Sequence, residues 1–387
     1  MAAAKRMITA NVTNSRYQPA LIPGLTLVPY ARGFPDGLAR STSKRAPRPD
    51  HVCTLTHMNA ASNSPESAGL LTLLRSFGQI VLQPNAATGA CLLAAWLLCD
   101  PRLACGALIG AIAANIAAIV AGCPEDDTRD GLHGFNGALA GLAAYTFVPD
   151  HATAAALAIL AATGTAWLLQ PWSRWLRSHG LGTYSSPCLI VTWLWLPLMK
   201  SSAAALPGAP ASMLVALPEG TLSGLAQSGF AYGALPGLLM LVGIALSSRR
   251  HALAALAGSA IAGGVHMLLG SSIATFDAGL VGFNGALTAL ALAESGWVVV
   301  LGGVLLSVAL QQLAGLAGLP AMTAPFVVAC WGVQWLMRRG SVSRRLDSDV
   351  RRDVDQAIEP AIEPAITRGA VHTAAPGASH TRNSRPV

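Results

Sequence analysis

Two glutamines and two phenylalanines recur at one spacing in the most apolar part of the chain. The run GLHGFNGAL, which ends at Leu139, is repeated as GLVGFNGAL 148 residues later, with one difference in nine positions. The same spacing relates Gln79 to Gln227, and each Gln lies 56 residues before the Phe of its repeat, Phe135 or Phe283. A carboxamide both donates and accepts hydrogen bonds, and an aromatic ring presents a flat apolar face. The pattern indicates matched binding surfaces for a small, planar, uncharged solute.

One hydroxyl residue follows each repeated run. Thr323 lies between two prolines in LPAMTAPF, which ends at Phe326, and Ser185 has the matching place in LGTYSSPC, which ends at Cys188. Prolines break a helix, and a hydroxyl at the break can donate or accept a hydrogen bond. We expect both hydroxyls to take part in the solute site, although a hydroxyl that only caps its own kinked helix fits the same pattern.

Apolar side chains complete the expected site. Leu82 and Phe230 come three residues after each Gln, whereas Leu139 and Leu287 come one helical turn after each Phe, on its face of the helix. The Asn that follows each Phe is expected to satisfy backbone exposed at a helix break. The expected site residues are Gln79, Leu82, Phe135, Leu139, Ser185, Gln227, Phe230, Phe283, Leu287 and Thr323.

The composition indicates that this site lies in a membrane. Of the 387 residues, 53% are hydrophobic and 11% are charged, whereas about a quarter of an ordinary soluble domain is charged. Residues 68–340 contain only ten Lys or Arg and nine Asp or Glu, so their natural solvent is the lipid bilayer. Most of the net charge of +7 lies in the first 67 residues without a basic aromatic face, so we expect no nucleic-acid partner. The seven cysteines form no Cys-x-x-Cys motif, and we expect neither a metal site nor a cofactor.

Ten apolar stretches organise the chain, at residues 86–99, 103–122, 134–148, 153–170, 188–199, 229–247, 252–270, 279–292, 297–318 and 321–337. Several are shorter than the roughly 20 residues that span a bilayer, which favours broken or re-entrant helices. Two repeats with five crossings each insert in opposite orientations about an axis in the membrane plane. The sequence therefore predicts an all-α polytopic membrane protein of two homologous inverted halves, each with about five transmembrane helices including re-entrant or half helices, and a pore at the pseudo-two-fold axis.

Composition also predicts the domain boundaries. Residues 1–66 are predicted to be a disordered N-terminal arm, and residues 339–387 a disordered C-terminal tail. The first transmembrane half is predicted at residues 67–205 and the second at residues 206–338. Lys and Arg are concentrated just outside both ends of the apolar region, so both termini are predicted to be cytoplasmic.

In combination these motifs resemble the urea transporter family, over roughly residues 68–338. The resemblance implies a homotrimer in the inner cell membrane, with a pore in each protomer and passive, channel-like flux of urea. It also implies that the Gln pair lies at the starts of pore half-helices and that Ser185 and Thr323 supply mid-pore hydroxyls. The two repeated Phe residues correspond to slot residues, with Leu82 and Phe230 opposite them. The first half departs from the pattern at Gly182, Ser185 and Cys188, and Leu82 stands where an aromatic residue is expected.

Two other classes of function fit parts of the pattern. A channel for another small neutral solute, such as ammonia, water or a short amide, is one alternative. An ammonia pore needs paired histidines, but His133 and His266 are not related by the repeat, and the Asn-Pro-Ala boxes of water channels are absent. A multi-pass membrane enzyme is the other alternative, and it needs clustered catalytic groups. The acidic run from Glu125 to Asp130 has no repeat partner and is interpreted as a solvated loop, so we do not expect an enzyme.

Overall fold

The computed structural model describes residues 65–199 and 213–340. Nearly all of the predicted N-terminal arm (1–66) and C-terminal tail (339–387) lies outside the described residues. The predicted boundary between the halves, at residues 205 and 206, lies outside them as well.

Fourteen α-helices make up the described part, and no strand occurs within it, so the prediction of an all-α fold is confirmed. The helices of the first half are α1 (Pro65–Ile80), α2 (Ala86–Cys99), α3 (Pro101–Val120), α4 (Glu125–Arg129), α5 (Leu132–Phe147), α6 (His151–Ser178) and α7 (Ser186–Trp195). Those of the second half are α8 (Met213–Gln227), α9 (Ala234–Ser247), α10 (Arg249–Leu268), α11 (Ile273–Asp277), α12 (Phe283–Leu292), α13 (Trp297–Leu316) and α14 (residues 324–340). Short 3₁₀ turns follow α7 (Leu196–Leu198) and α12 (Ala293–Ser295).

The repeat seen in the sequence is a repeat of helices. Adding 148 to the bounds of α2, α3 and α4 gives the bounds of α9, α10 and α11. The spacing falls to 138 between the starts of α7 and α14, because α13 has 20 residues where α6 has 28 and the adjoining connections also differ. The two halves therefore share one helix order and differ mainly in the length of their sixth helix.

Four helices are long and apolar enough to cross a bilayer, namely α3, α6, α10 and α13. The predicted short elements are also present, since α2 and α9 have 14 residues each. The sequence analysis missed α1 and α8, because Arg75 and Gln79 interrupt the apolar pattern of the first, and Pro218 and Glu219 interrupt that of the second. It also interpreted the acidic run as a loop, whereas Glu125–Arg129 forms the short helix α4.

Glycines let the helices within each half approach closely. Helix α3 packs on α5, and a Cβ added at Gly137 would overlap the Ala114 side chain and the Gly110 carbonyl. The same contact recurs between α10 and α12, where a Cβ at Gly285 would overlap Ala262 and Gly258. In lipid, close van der Waals packing between small residues is a main source of helix association. These contacts fix α5 and α12, the helices that carry the repeated Phe residues.

The two halves contact each other as a pseudo-two-fold pair. Helix α2 packs on its own counterpart α9. The Trp193 indole N–H donates to the Pro320 carbonyl at 2.9 Å, and its counterpart Trp331 donates to the Gly182 carbonyl at 2.7 Å. Such reciprocal contacts, in which each half gives the other the same bond, are the signature of a two-fold interface.

The glycine contacts generate the first prediction. Gly137→Ala places a Cβ against the α3 backbone, and we expect it to destabilise the protein by about 1–3 kcal/mol. Thermal unfolding in detergent micelles measures this as a lower Tm. Gly264→Ala is the matched control, because nothing lies within 4 Å of the added Cβ in the interior of α10, and we expect an equal or higher Tm. Equal Tm values for Gly137→Ala and the unchanged protein would contradict the close packing.

Candidate functional site

The expected hydroxyl pair meets at the centre of the two-fold interface. The Ser185 and Thr323 oxygens lie 2.9 Å apart and form a hydrogen bond in which either can donate. Their spacing of 138 residues is the spacing that relates α7 to α14, so the two residues are counterparts. Counterparts of a two-fold arrangement touch each other only at the axis. The pair therefore marks where the pseudo-two-fold axis passes through the chain.

Each hydroxyl residue stands at the start of a helix without capping it. The Ser185 and Thr323 carbonyls accept the first helical hydrogen bonds, from Leu189 and Val327. The Ser185 side chain makes no capping bond to its own helix. The alternative in which the Ser185 hydroxyl only caps its own helix is therefore wrong, because the hydroxyl is used across the two halves. Ser185 is buried and Thr323 is half-buried.

Left-handed backbone precedes both hydroxyls. Tyr184 and Met322 each have a φ of 46°, in the two breaks that separate α6 from α7 and α13 from α14. A residue other than glycine in this region costs about 1–2 kcal/mol. In the described part only four such residues occur, and the other two are Leu82 and Phe230, with φ values of 58° and 61°. All four thus lie at the expected site or next to it, and strained backbone is characteristic of functional sites.

Leu82 and Phe230 occupy turns that usually require glycine. After α1, the Leu82 N–H donates to the Gln79 carbonyl at 2.9 Å, and the next residue donates to the Gly78 carbonyl at 3.0 Å. After α8, the Phe230 N–H bonds the Gln227 carbonyl at 3.1 Å in the same way. This pattern is a Schellman motif, whose left-handed position is usually Gly. Both side chains are half-buried against the core, so large apolar groups are held at this position despite the backbone strain.

The expected position of the glutamines is corrected by the structure. Gln79 lies in the last turn of α1 and Gln227 ends α8, whereas the sequence analysis expected them at the starts of half-helices. A turn separates each Gln from the apolar stretch that follows it, and the sequence pattern does not reveal this turn. Both side chains are half-buried, and the Gln79 Nε2 lies 3.4 Å from the Asp130 carbonyl, just before α5.

The repeated Phe residues lie at matched depths. Phe135 and Leu139 are one turn apart on α5, and Phe283 and Leu287 are one turn apart on α12. All four are buried, with exposed fractions between 3% and 9%. Neither Phe ring pairs with another aromatic ring in the described part of the chain. Their role as slot walls stays a prediction.

The Asn residues after each Phe hold the helix breaks, as expected. The Asn136 Oδ1 accepts the Cys188 N–H at 3.2 Å, and the Asn284 Oδ1 accepts the Phe326 N–H at 3.3 Å. Each bond joins a Phe-bearing helix to the first turn of a hydroxyl-bearing helix. The Asn284 Nδ2 also donates to the Met322 carbonyl at 3.0 Å, next to Thr323. Each Asn therefore fixes one hydroxyl relative to one Phe.

The sequence analysis missed one contact across the site. The Gln334 side chain on α14 accepts the Gly182 N–H at 3.0 Å and donates to the Tyr184 hydroxyl at 2.7 Å. At the spacing of 138 residues, the counterparts of Tyr184 and Gln334 are Met322 and Leu196, which cannot form these side-chain bonds. Only a comparison of the repeats beyond residue 326 could have revealed the difference. The contact makes the two sides of the hydroxyl pair unequal.

Comparison with known proteins agrees with this geometry. A family model described as "Urea transporter" matches residues 70–338, a stretch that contains both repeats and all ten expected site residues. A search among curated proteins finds no match. The match extends over well over half of the chain, and the all-helical fold has four helices able to span a bilayer. This chain belongs to the urea transporter family, so it is a multi-pass membrane protein that carries urea passively across the bilayer and not an enzyme.

Proposed function

We propose that urea crosses this protein through a channel-like path at the pseudo-two-fold axis, with Ser185 and Thr323 at its midpoint. The observation that carries the proposal is the hydrogen bond between these two counterparts, 2.9 Å long, in a chain whose surroundings are otherwise apolar. An uncharged polar pair at the meeting point of two halves is suited to an uncharged polar solute.

Urea requires such a pair because it is strongly hydrated. It has one carbonyl acceptor and four N–H donors, and each amide-like group left without a partner costs roughly 2–7 kcal/mol. The Ser185 and Thr323 oxygens can accept N–H groups, and their O–H groups can donate to the urea carbonyl. Urea then exchanges for the hydroxyl–hydroxyl bond, and such an exchange has a small net free energy. Binding stays weak, which permits fast exit.

Apolar walls supply the other half of the selectivity. We infer that Phe135 and Phe283 form the faces of flat slots, with Leu82 and Phe230 opposite them and Leu139 and Leu287 extending the walls. The left-handed backbone at Leu82 and Phe230 supports this role, since glycine is otherwise preferred there. In this proposal the Gln79 and Gln227 carboxamides receive the solute on either side of the midpoint.

The path needs no coupling ion. None of the ten proposed residues is ionisable, and intramembrane charges are the usual sign of ion coupling or proton relay. Flux down the urea gradient follows.

Each protomer holds its own complete path. Both hydroxyls and both Asn residues that position them come from one chain, so the proposed pore does not need a partner subunit. The homotrimer, the inner cell membrane and the cytoplasmic position of both termini remain part of this proposal. Arg338 and Arg339 at the end of α14 support a cytoplasmic C-terminus.

Removal of one mid-path oxygen tests the midpoint. Thr323→Val keeps the side-chain volume but loses the hydroxyl, at a cost of about 1 kcal/mol, so we expect urea permeability to fall about fivefold. Stopped-flow light scattering of proteoliposomes measures it. Thr163→Val is the matched control, because Thr163 lines an outer groove between α3 and α6, and its flux should not change. Undiminished flux through Thr323→Val would remove the hydroxyl pair from the path.

The slot walls give a selectivity prediction. Leu82→Phe makes the first slot resemble the second, which has Phe230, and narrows it for solutes thicker than urea. The methyl group of acetamide is thicker than an NH₂ group, so we expect the acetamide-to-urea permeability ratio to fall about tenfold. Leu98→Phe, at an exposed position on α2, is the control. The same ratio in both variants would show that Leu82 does not line the path.

A further inference from the structure

The first half carries an extension that the second half lacks. Helix α6 has 28 residues and its counterpart α13 has 20. Counted from the helix starts, the additional residues are 171–178, with the sequence PWSRWLRS. They follow the apolar part of a membrane-spanning helix, and so they emerge at one surface of the bilayer. The repeat does not explain them, and the proposed path does not use them.

The extension forms a continuous surface with the end of α14. The Trp172 and Trp175 rings stack with centroids 5.1 Å apart, and the Trp175 ring lies 4.7 Å from the His179 ring. The Arg338 guanidinium donates to the His179 carbonyl at 3.0 Å, which joins the two helix ends. The basic end patch defined in this way consists of Trp172, Arg174, Trp175, Arg177, Trp335, Arg338 and Arg339.

The patch is positively charged and exposed. Within the described residues, no carboxylate lies within 4 Å of Arg174, Arg177 or Arg339. The Arg339 guanidinium instead stacks over the Trp335 ring, 3.7 Å from its centroid. All three arginines are exposed.

We propose that the basic end patch binds the headgroups of anionic phospholipids. Guanidinium groups bind phosphate oxygens in a bidentate fashion, and tryptophan side chains settle at the level of lipid headgroups. A soluble anion accounts for the arginines but not for the three exposed or half-exposed tryptophans beside them. The combination at the end of a membrane span fits a lipid that offers a phosphate to the arginines and an interface to the rings.

Another arginine pair offers a matched control. Arg249 and Arg250 begin α10, and the Arg250 guanidinium pairs with Glu294 at 2.8 Å. This pair has the same charge as Arg174 and Arg177, but a carboxylate already neutralises part of it and no ring pair adjoins it. Removing either arginine pair changes the net charge of the protein by the same amount.

Native mass spectrometry of the full-length protein tests the proposal. The protein is equilibrated in mixed micelles with equal amounts of phosphatidylglycerol and phosphatidylcholine, and the ratio of the two bound lipids is measured. We expect the unchanged protein to retain phosphatidylglycerol preferentially. Arg174→Gln with Arg177→Gln should reduce that preference at least about tenfold, since each arginine near an anionic surface contributes on the order of 1 kcal/mol. Arg249→Gln with Arg250→Gln should leave it nearly unchanged.

Three results would overturn the proposal. The first is an absence of lipid preference in the unchanged protein, and the second is an equal loss of preference in both double variants. The third is displacement of the bound lipid by an equimolar amount of soluble glycerol phosphate, which would show that the patch binds free phosphate. Urea flux is not part of this experiment, so its outcome is independent of the proposed transport path.

Discussion

The structure depends on one constraint: a neutral polar solute must find hydrogen bonds in the middle of a protein whose surroundings are lipid. A continuous helix offers none, because its backbone groups bond each other. Helix breaks expose such groups, and the breaks before α7 and α14 bring Ser185 and Thr323 together at 2.9 Å. Each break is held by an Asn from a neighbouring helix, and that helix also carries the repeated Phe. The polar midpoint and the proposed aromatic walls are therefore one mechanical unit in each half.

Backbone strain accumulates in the same places. The left-handed residues form two related pairs, one that ends α1 and α8 and one that precedes the hydroxyls. Glycine would remove the strain at each position, yet Leu, Phe, Tyr and Met are present. The free-energy cost is met by packing, because all four side chains lie against the core. Strain retained twice, at matched positions, is most simply explained by a need for those side chains.

Much of this fold was predictable because a repeat in sequence implies a repeat in structure. The nine-residue run predicted the pairing of α5 with α12, and the proline motifs predicted both breaks. A repeat identifies counterparts, but it does not reveal which residues touch. The glutamines were assigned to the wrong helix ends because the left-handed turn at Leu82 or Phe230 leaves no trace in hydrophobic periodicity. The bond from Gln334 to Tyr184 spans 150 residues and joins positions whose counterparts are apolar, so symmetry gave no guide to it.

The differences between the halves have a physical reason of their own. An inverted pair places counterpart residues at opposite membrane surfaces, and the two surfaces differ in lipid charge. The residues at the axis experience the same environment from either half, so Ser and Thr can serve there as near equivalents. Residues far from the axis do not, and it is there that α6 extends beyond α13 and gains its arginines and tryptophans. Symmetry is thus retained where the solute is proposed to bind, and it is lost where the chain meets the two sides of the membrane.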